Sequence, residues 1–419
     1  MTVIRLALQS LASRWVTAVL TVLAIAFSVM LFLGVEKVRA GARASFADTI
    51  SGTDLIVGAR SSPVQLLLYS VFRIGNATNN IRWTTFRAIE ARADVAWAVP
   101  ISLGDSHRGF RVMGTTKAYF AHYSYRSGSK LTLAGGAIFD DLYDAVIGSD
   151  VAELLGYDVG TSMVVAHGLG DVSFALHDDK PFRVAGILAK TGTPVDRTVH
   201  VSLEAIEAIH ADWSGGARDP TKSFSAEQVR QMDLTPKAIT AVFVGLKSRL
   251  QVFRFQRAVN GFRGEPITAV LPGVALAELW EVVGQAEAAL QVVSGMVIVT
   301  ALIGMITMLL ATLNERRREL AILRSVGAGP GTIIGLLLAE AGVLTLAGVM
   351  CGAAGLYAML YILRDTIDAA YGVYIQLAAP TAWEWQTLAA IVCGGVVAGL
   401  VPAFRAYRQS LADGMMVRH

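Results

Sequence analysis

Four charge-free apolar runs divide the chain into membrane-spanning and non-membrane segments. They cover residues 15–35, 288–313, 341–363 and 385–404. A helix needs about 20 apolar residues to cross a bilayer, so each run predicts one transmembrane helix. The stretch between the first two runs is long enough to fold around its own hydrophobic core. The pattern therefore predicts four spans, with a large domain inserted between the first and the second.

The first run predicts an uncleaved membrane anchor rather than a signal peptide. It is longer than the apolar centre of a signal sequence, and no clean small-x-small cleavage site comes before Glu36 and Lys37. Residues 38–42 come nearest to such a site. We therefore expect the first span to remain part of the mature protein.

The inserted segment has the pattern of a mixed α/β domain. Apolar or alternating stretches predict strands at residues 54–58, 145–148, 162–166, 182–188 and 239–246. Helices are predicted at residues 84–92, 149–155, with Ser149 as the N-cap, and 203–210. Residues 214–235 are polar and interrupted by Gly and Pro, which predicts a loop or a boundary between subdomains.

Helical spacing resumes before the second apolar run. Leu276, Leu279, Trp280 and Val283 recur at helical intervals. Because no breaker separates them from the run, we expect one helix from about Ala275 to Arg318. Such a helix would be a rigid stalk that carries movement between the inserted domain and the membrane.

The placement of basic residues predicts the topology. The chain is 54% hydrophobic and only 16% charged, and its net charge of +3 is too small to imply a nucleic-acid partner. Lys and Arg near span ends favour the cytoplasmic side. The loop between the third and fourth runs has only Arg364, beside Asp365 and Asp368, whereas the other ends carry Arg5, Arg14, Arg316, Arg317, Arg318, Arg324, Arg405, Arg408 and Arg418. Both termini are therefore predicted to be cytoplasmic, and residues 36–287 lie outside.

These patterns predict the full domain organisation. The expected segments are a cytoplasmic amphipathic lead-in (1–14), the first span (15–35), the outer domain with its stalk (36–287), the second span (288–313), a cytoplasmic element (314–335), the third span (336–363), a short outer loop (364–384), the fourth span (385–404) and a cytoplasmic tail (405–419). The two cysteines, Cys351 and Cys393, fall within spans. The outer domain is therefore expected to fold without disulfides.

The sequence has no motif that would make this chain an enzyme. No Gly-x4-Gly-Lys-Ser/Thr phosphate loop is present, and the Gly-rich residues 327–331 lack the following Lys. Residues 104–107 (Gly-Asp-Ser-His) hold the residue types of nucleophilic catalysis, but neighbours in sequence do not form a triad. We interpret them as a polar loop. We expect the chain to bind no cofactor itself.

Metal binding is a weaker hypothesis. His177 precedes two aspartates, and His210 lies near Asp212. Both offer an imidazole close to a carboxylate, but the spacing matches no recognised ligand pattern. His177 and His210 are therefore weak candidates for metal ligands.

The charged stretch between the second and third spans has a jointed pattern. A charged amphipathic turn is followed by a Gly-rich break, a short helix at residues 332–338 and then the next span. Glu340 lies among apolar residues, where a carboxylate facing lipid is costly. We expect it to pair with Arg316, Arg324 or Arg405. Gly348 and Gly352, and likewise Gly395 and Gly399, are spaced four apart and are expected to let helices pack closely.

Several segments resemble the FtsX-like permeases, the MacB/LolC/FtsX class of ABC transporters. The residues Asn314–Ala328 (NERRRELAILRSVGA) resemble the signature after the second span, and Leu336–Glu340 (LLLAE) and Val401–Ala406 (VPAFRA) resemble later family motifs. Residues 8–15 are similar to the family's amphipathic lead-in. The likeness covers residues 1–50 and 280–419, while residues 54–63 resemble a subgroup in Gram-negative bacteria that differs from MacB and LolC.

This resemblance implies a mechanism and a set of partners. In the family, a separate ATPase dimer binds ATP and Mg beneath a permease homodimer, and the loop after the second span passes its movement to a MacB-like periplasmic domain. The dimer seam would lie on the first and second spans, in the lipid of the bacterial inner membrane. The residues implied to couple to the ATPase are Glu315, Arg316, Arg317, Glu319, Arg324, Gly327 and Ala328.

Three functions remain open from the sequence. The first is an ABC transporter permease that moves a lipid, lipoprotein, peptide or hydrophobic cargo. The second is a non-transporting regulator of a periplasmic partner protein, such as a cell-wall hydrolase. The third is a membrane-anchored metal-binding protein.

Overall fold

The chain divides into two compact units. The structure is a computed structural model that describes residues 2–168, 178–214, 217–218, 221, 224–315, 317–371 and 379–408. The helical unit comprises Met1–Gly41, Gly284–Ile367 and Ile375–His419, and the inserted domain comprises Ala42–Val283 and Asp368–Tyr374. Residues 42–283 of the inserted domain therefore lie, in the sequence, between the first and second spans of the helical unit, as the sequence predicts.

The helices and strands of the described residues are as follows. The helices are α1 (Thr2–Ala12), α2 (Trp15–Asp48), α3 (Pro63–Ser70), α4 (Trp83–Glu90), α5 (Lys117–His122), α6 (Ser149–Leu155), α7 (Leu203–Ile209), α8 (Ala226–Val229), α9 (Val252–Asn260), α10 (Pro272–Glu315), α11 (Arg317–Ser325), α12 (Pro330–Tyr371), α13 (Ala382–Ala398) and α14 (Leu400–Arg408). The strands are β1 (Leu55–Ala59), β2 (Ile81–Arg82), β3 (Val95–His107), β4 (Phe110–Thr115), β5 (Ser124–Tyr125), β6 (Ser129–Lys130), β7 (Leu133–Gly136), β8 (Asp144–Ile147), β9 (Ser162–Met163), β10 (Ala166–His167), β11 (Phe182–Leu188), β12 (Thr198–Ser202), β13 (Trp213–Ser214), β14 (Ala217–Arg218), β15 (Ala238–Ile239), β16 (Ala241–Leu246) and β17 (Ile267–Val270).

The described residues include four helical segments long and apolar enough to cross a membrane. They are Trp15–Gly41, Pro272–Leu313, Pro330–Arg364 and Ala382–Arg408. These segments confirm the four predicted spans. The predicted stalk also appears as one helix, because α10 continues without a break from Pro272 to Glu315.

The third span is longer than the sequence pattern suggested. The prediction of a separate helix at residues 332–338 was wrong, because α12 runs unbroken from Pro330 to Tyr371. Leu and Ala are good helix formers, and nothing after Leu338 ends the helix before the apolar run begins. The helix also extends beyond residue 364, where the outer loop was expected to start.

A mixed sheet forms the centre of the inserted domain. Its strand order is β17-β1-β16-β3-β4-β12-β8-β11-β7, with β10 added to β3 and β9 added to β11. The pairs β12–β4 and β11–β8 are parallel, while the other pairs of this sheet are antiparallel. The predicted mixed α/β class is confirmed.

Strand β1 is apolar along its whole length because both of its faces are covered. In β1, Leu55 and Val57 enter one hydrophobic cluster, whereas Ile56 enters another on the opposite face. Side chains alternate between faces along a strand, so a continuous apolar run is what a doubly covered strand requires.

Some local predictions need correction. The expected strand at residues 162–166 is limited to Ser162–Met163, and a separate strand, β10, begins at Ala166. The N-cap of α6 is Gly148 rather than Ser149, which is the first helical residue. The expected strand at residues 239–246 is divided at Thr240. There the Thr240 hydroxyl accepts a hydrogen bond from the Leu103 amide at 2.9 Å, so a side chain takes part in the pairing.

Glycines mark close helix contacts within the helical unit. A Cβ atom on Gly348 would lie 2.6 Å from Ile25. One on Gly352 would lie 2.5 Å from the Ala26 carbonyl oxygen. Both neighbours are on α2. A Cβ atom on Gly395 would lie 2.0 Å from the Thr345 hydroxyl oxygen of α12. One on Gly399 would lie 2.7 Å from Ala341 of the same helix. Small residues of this kind allow backbones to approach in membrane bundles.

We predict that Gly352→Ala destabilises the helical unit. The added methyl group would overlap a backbone oxygen, and overpacking costs about 1–3 kcal/mol. Gly355→Ala is the matched control, because the nearest atom to its Cβ is Met30 Sδ at 3.9 Å. Thermal unfolding in detergent should show a lower midpoint for Gly352→Ala and an unchanged or higher midpoint for Gly355→Ala. Equal midpoints would contradict the close approach.

Candidate functional site

The predicted coupling element is a short helix that ends in a glycine turn. The backbone of Gly327 has φ +100°. The Ala328 amide donates to the Leu323 carbonyl at 2.9 Å, and the Gly327 amide donates to the Arg324 carbonyl at 3.0 Å. These two bonds form a Schellman motif with Gly327 at the left-handed position. Pro330 then begins α12, as proline favours the first turn of a helix. The Gly-rich break in the sequence is therefore an ordered turn between α11 and α12.

The inner face of α11 packs onto the ends of the span helices. A hydrophobic cluster joins residues of α10, α11, α12 and α14: Leu310, Leu313, Leu320, Leu323, Ile333, Ile334, Leu337, Ala403 and Ala406. In addition, Arg324 Nη2 donates to the Ala406 carbonyl oxygen at 3.0 Å. The coupling element is thus attached to three of the four span-forming segments.

The opposite face of α11 carries exposed apolar side chains. Ile322 is 55% exposed, and Val326, which directly follows the helix, is 83% exposed. Arg316 lies outside the described residues, and the side chains of Glu315 and Arg317 are likewise not described. The roles of these residues and of Glu319 in coupling stay predictions.

Glu340 lies in the interior of the helical unit, only 1% exposed. The Arg405 side chain lies at the surface of the same unit, and the Arg324 guanidinium contacts the Ala406 carbonyl. The proposed pairing of Glu340 with Arg405 therefore stays a prediction.

A buried ion pair that the sequence did not reveal connects two spans. Lys37 Nζ lies 3.1 Å from Glu384 Oε1, and the two side chains are 9% and 4% exposed. Glu384 also accepts a hydrogen bond from the Thr381 amide at 2.7 Å, which completes a capping box at the start of α13. The Thr-x-x-Glu spacing is a recognisable helix start, but nothing in the sequence identifies Lys37 as its partner.

Residues 104–107 are not the polar loop that we expected. They end strand β3, and the side chains of Asp105, Ser106 and His107 are buried. His107 Nδ1 lies 2.6 Å from the Val164 carbonyl oxygen and its Nε2 lies 3.0 Å from the Tyr157 hydroxyl. Burial lowers the pKa of His107. Its ring is therefore held by structural hydrogen bonds to these two groups rather than directed at Ser106.

Asp105, His167 and His210 converge in the inserted domain. The carboxylate oxygen Oδ1 of Asp105 lies 3.1 Å from His167 Nδ1 and 3.5 Å from His210 Nε2. The two ring nitrogens are 3.0 Å apart. Burial opposes the charged form of His210, but the hydrogen bond and charge of Asp105 outweigh it and raise its pKa. His177 lies outside the described residues, and Asp212 pairs with Lys180 at 3.2 Å.

His200 provides a pH prediction that is separate from this cluster. It is fully buried on β12, and burial lowers its pKa to about 3. The folded protein therefore keeps His200 neutral, while the unfolded chain gains a proton below about pH 6.5. Stability should be lost as pH falls from that value toward 3, by about 1.4 kcal/mol per pH unit for this group.

The effect is measured as the difference between wild type and His200→Leu. Chemical unfolding of the inserted domain in the solubilised chain would be followed by near-ultraviolet circular dichroism at pH 6, 5 and 4. The stability advantage of wild type over His200→Leu should shrink at each step. A difference that stays constant over this range would contradict a neutral, buried His200.

The inserted domain also has a polar cleft. Its volume is about 500 Å³, and its lining includes Arg73, Arg111, Asn76 and Asn80. Arg111 donates to Asn76 Oδ1 at 3.1 Å and to the Gly75 carbonyl at 3.0 Å. Burial, and then the charge of Arg73, lowers the pKa of Arg111. Two guanidinium groups in the lining suit an anionic group better than an acyl chain.

Four segments long and apolar enough to span a membrane, with an inserted α/β domain, define a multi-pass membrane protein. The family model for the MacB-like periplasmic core domain matches residues 18–261, and that for the FtsX-like permease C-terminal region matches residues 291–411. The chain therefore belongs to the MacB/FtsX-type ABC transporter permeases. Members of this family are permease subunits that work with an ABC ATPase.

Two crystal structures resemble part of the chain. The periplasmic region of MacB from Actinobacillus actinomycetemcomitans has 10% identity and a TM-score of 0.33, and the match covers 55% of this chain and 94% of that one. The extracellular domain of the noncanonic ABC-type transporter YknZ from Gram-positive bacteria has 14% identity and a TM-score of 0.31, with 52% and 98% covered. No curated protein sequence matches the chain significantly.

Proposed function

We propose that this chain transmits ATP-driven movement from a separate cytoplasmic ATPase to its own periplasmic domain. The observation that carries the proposal is the attachment of α11 to the ends of α10, α12 and α14 through one hydrophobic cluster. A force applied to α11 would act on these helices together, because closely packed interiors transmit displacement rather than absorbing it.

The direction of the movement follows from the arrangement of charges. The Arg residues of the coupling element favour the cytoplasm, so an ATPase there would meet the exposed face of α11. ATP and Mg would bind to that ATPase. Helix α10 would carry the movement outward, since it continues from the coupling element for 44 residues.

The assembly that suits this mechanism contains two copies of the chain. An ATPase dimer that closes on ATP presents two equivalent docking positions, so each would take one coupling element. The apolar faces of the first and second spans would form the seam between the two permease copies, with membrane lipid around them.

The cargo that we propose is a lipid, lipoprotein, peptide or other hydrophobic molecule in the bacterial inner membrane or periplasm. The cleft with Arg73 and Arg111 supports a cargo, or a periplasmic partner, that also carries an anionic group such as a phosphate or carboxylate. Guanidinium groups bind both of these anions well.

The test begins with the chain purified from its native membrane with its bound proteins. We expect the preparation to show vanadate-sensitive ATP hydrolysis. Because the permease itself has no phosphate-binding loop, this activity would belong to a bound ATPase. If membrane lipids or lipopeptides stimulate this ATP hydrolysis, the result supports transport. Stimulation only by a periplasmic protein fraction would favour the regulator of a cell-wall hydrolase or similar partner. Absence of any associated ATPase would contradict the proposal.

A further inference from the structure

Asp105, His167 and His210 bring one carboxylate oxygen and two imidazole nitrogens together in the inserted domain. We propose that these three residues bind one divalent transition-metal ion, with Zn²⁺ as the preferred chemical class. The site is separate from the coupling element and does not depend on the proposed transport function. Of the two candidate ligands named from the sequence, it contains His210, whereas His177 lies outside the described residues.

The spacing of the three ligand atoms fits a small metal ion. Zinc binds His nitrogen and carboxylate oxygen at about 2.0–2.2 Å in tetrahedral sites, which places neighbouring ligand atoms about 3.3–3.5 Å apart. The three distances here are 3.0, 3.1 and 3.5 Å. An ion at the centre of this triangle would therefore require only small side-chain movements.

The backbone places Asp105 and His167 side by side. His167 on β10 is the direct antiparallel partner of Asp105 on β3, and opposed residues project from the same face of a sheet. An irregularity in the pairing of β3 with β4 lies between Leu103 and Asp105. Such a bulge re-aims the side chain that follows it.

His210 is oriented toward the other two ligands by its own helix. It follows the last residue of α7, and its Nδ1 lies 2.8 Å from the Ile206 carbonyl oxygen. A carbonyl only accepts, so Nδ1 carries the proton and Nε2 of the neutral ring presents a lone pair. Metal-binding histidines are commonly held this way, by a hydrogen bond from the second ring nitrogen.

The balance of burial and access also suits an ion. Asp105 is 4% exposed, whereas His167 and His210 are 40% and 23% exposed. A carboxylate so deeply buried needs a positive charge beside it, and the partly exposed imidazoles let an ion reach the site from solvent. Two nitrogens and one oxygen favour Zn²⁺ over Ca²⁺ or Mg²⁺, which prefer oxygen ligands throughout.

The alternative is a proton shared among the same three groups. An imidazolium at His167 or His210 would also balance Asp105 and explain the short distances. The two explanations differ in their response to metal. A proton-bridged cluster does not need an ion. In a metal titration, the affinity for Zn²⁺ would then not depend on these three residues.

The experiment uses the untagged full-length chain, purified in detergent and stripped with a chelator. It is titrated with Zn²⁺ against a chromophoric competitor and separately with Co²⁺. We expect one equivalent of Zn²⁺ per chain, a raised unfolding midpoint, and the visible d–d bands of tetrahedral Co²⁺. His167→Ala and His210→Ala should each weaken binding at least about 100-fold, more than the loss of an outer-shell partner.

His122→Ala is the matched control, because His122 lies on the same domain but stacks on Trp97 instead. Its affinity for Zn²⁺ should equal that of wild type. Because His167 is substantially exposed, His167→Ala should fold normally, and its circular dichroism spectrum in chelator will show this. No tight Zn²⁺ equivalent in wild type, or the same affinity in His167→Ala, would overturn the metal site and leave the proton-bridged cluster.

Discussion

Ile322→Asp is expected to separate the permease from its ATPase while leaving the membrane fold intact. Ile322 is exposed on α11, opposite the face that carries Leu320 and Leu323. A carboxylate there would meet the apolar groups of a docked partner without disturbing the permease interior. Loss of a central apolar contact in an interface costs about 2 kcal/mol or more, so association should weaken by about 30-fold.

The measurement is the amount of vanadate-sensitive ATPase retained by the purified permease, together with its unfolding midpoint. Leu250→Asp is the matched control, since Leu250 is an exposed apolar residue in the inserted domain. It should retain the ATPase fully. Leu320→Asp gives a second comparison, because it places a charge within the buried cluster and should lower the midpoint as well. Normal ATPase retention by Ile322→Asp would show that α11 is not the docking surface.

Lys37→Met is expected to cause the largest loss of stability in the helical unit. It leaves the Glu384 carboxylate in the interior without its cation. Breaking a buried ion pair on one side typically costs about 3–5 kcal/mol. Thermal unfolding in detergent should therefore show a clear fall in the midpoint, and ATP-dependent activity should decline at temperatures that wild type tolerates.

A double variant separates the charge effect from lost packing. Glu384→Gln keeps a side chain that can complete the capping box but removes the charge. Lys37→Met combined with Glu384→Gln should be more stable than Lys37→Met alone. Glu90→Gln, which breaks the exposed Arg87–Glu90 pair, should change stability by less than about 1 kcal/mol. If the double variant is no more stable than Lys37→Met, the result would contradict an electrostatic role for the pair.

The membrane architecture could be predicted because it depends on local composition. A bilayer requires long apolar helices, so the four spans appear as four runs in the sequence. The stalk was visible for the same reason, since its spacing continues into the second span. Strand β11 was predicted with its observed bounds, Phe182–Leu188, because its alternation matches the burial of one side chain in two.

The two charged clusters were harder to predict from the sequence, because each joins residues that lie far apart along the chain. Asp105 and His167 are opposed only through the register of β3 and β10, and no local pattern encodes that register. Lys37 and Glu384 are separated by 347 positions. By contrast, the turn at Gly327 could be predicted, since a glycine after a helix commonly takes the left-handed conformation.

The most direct measurement of the proposed coupling is a distance between spin labels on the two units of one chain. Cys351 and Cys393 would first be replaced by Ser. Leu250→Cys in the inserted domain and Trp383→Cys at the start of α13 then provide two exposed labelling positions. In the complex with its ATPase, we predict that ATP and Mg shift this distance and that Ile322→Asp abolishes the shift. An unchanged distance during active ATP hydrolysis would contradict transmission of movement through this chain.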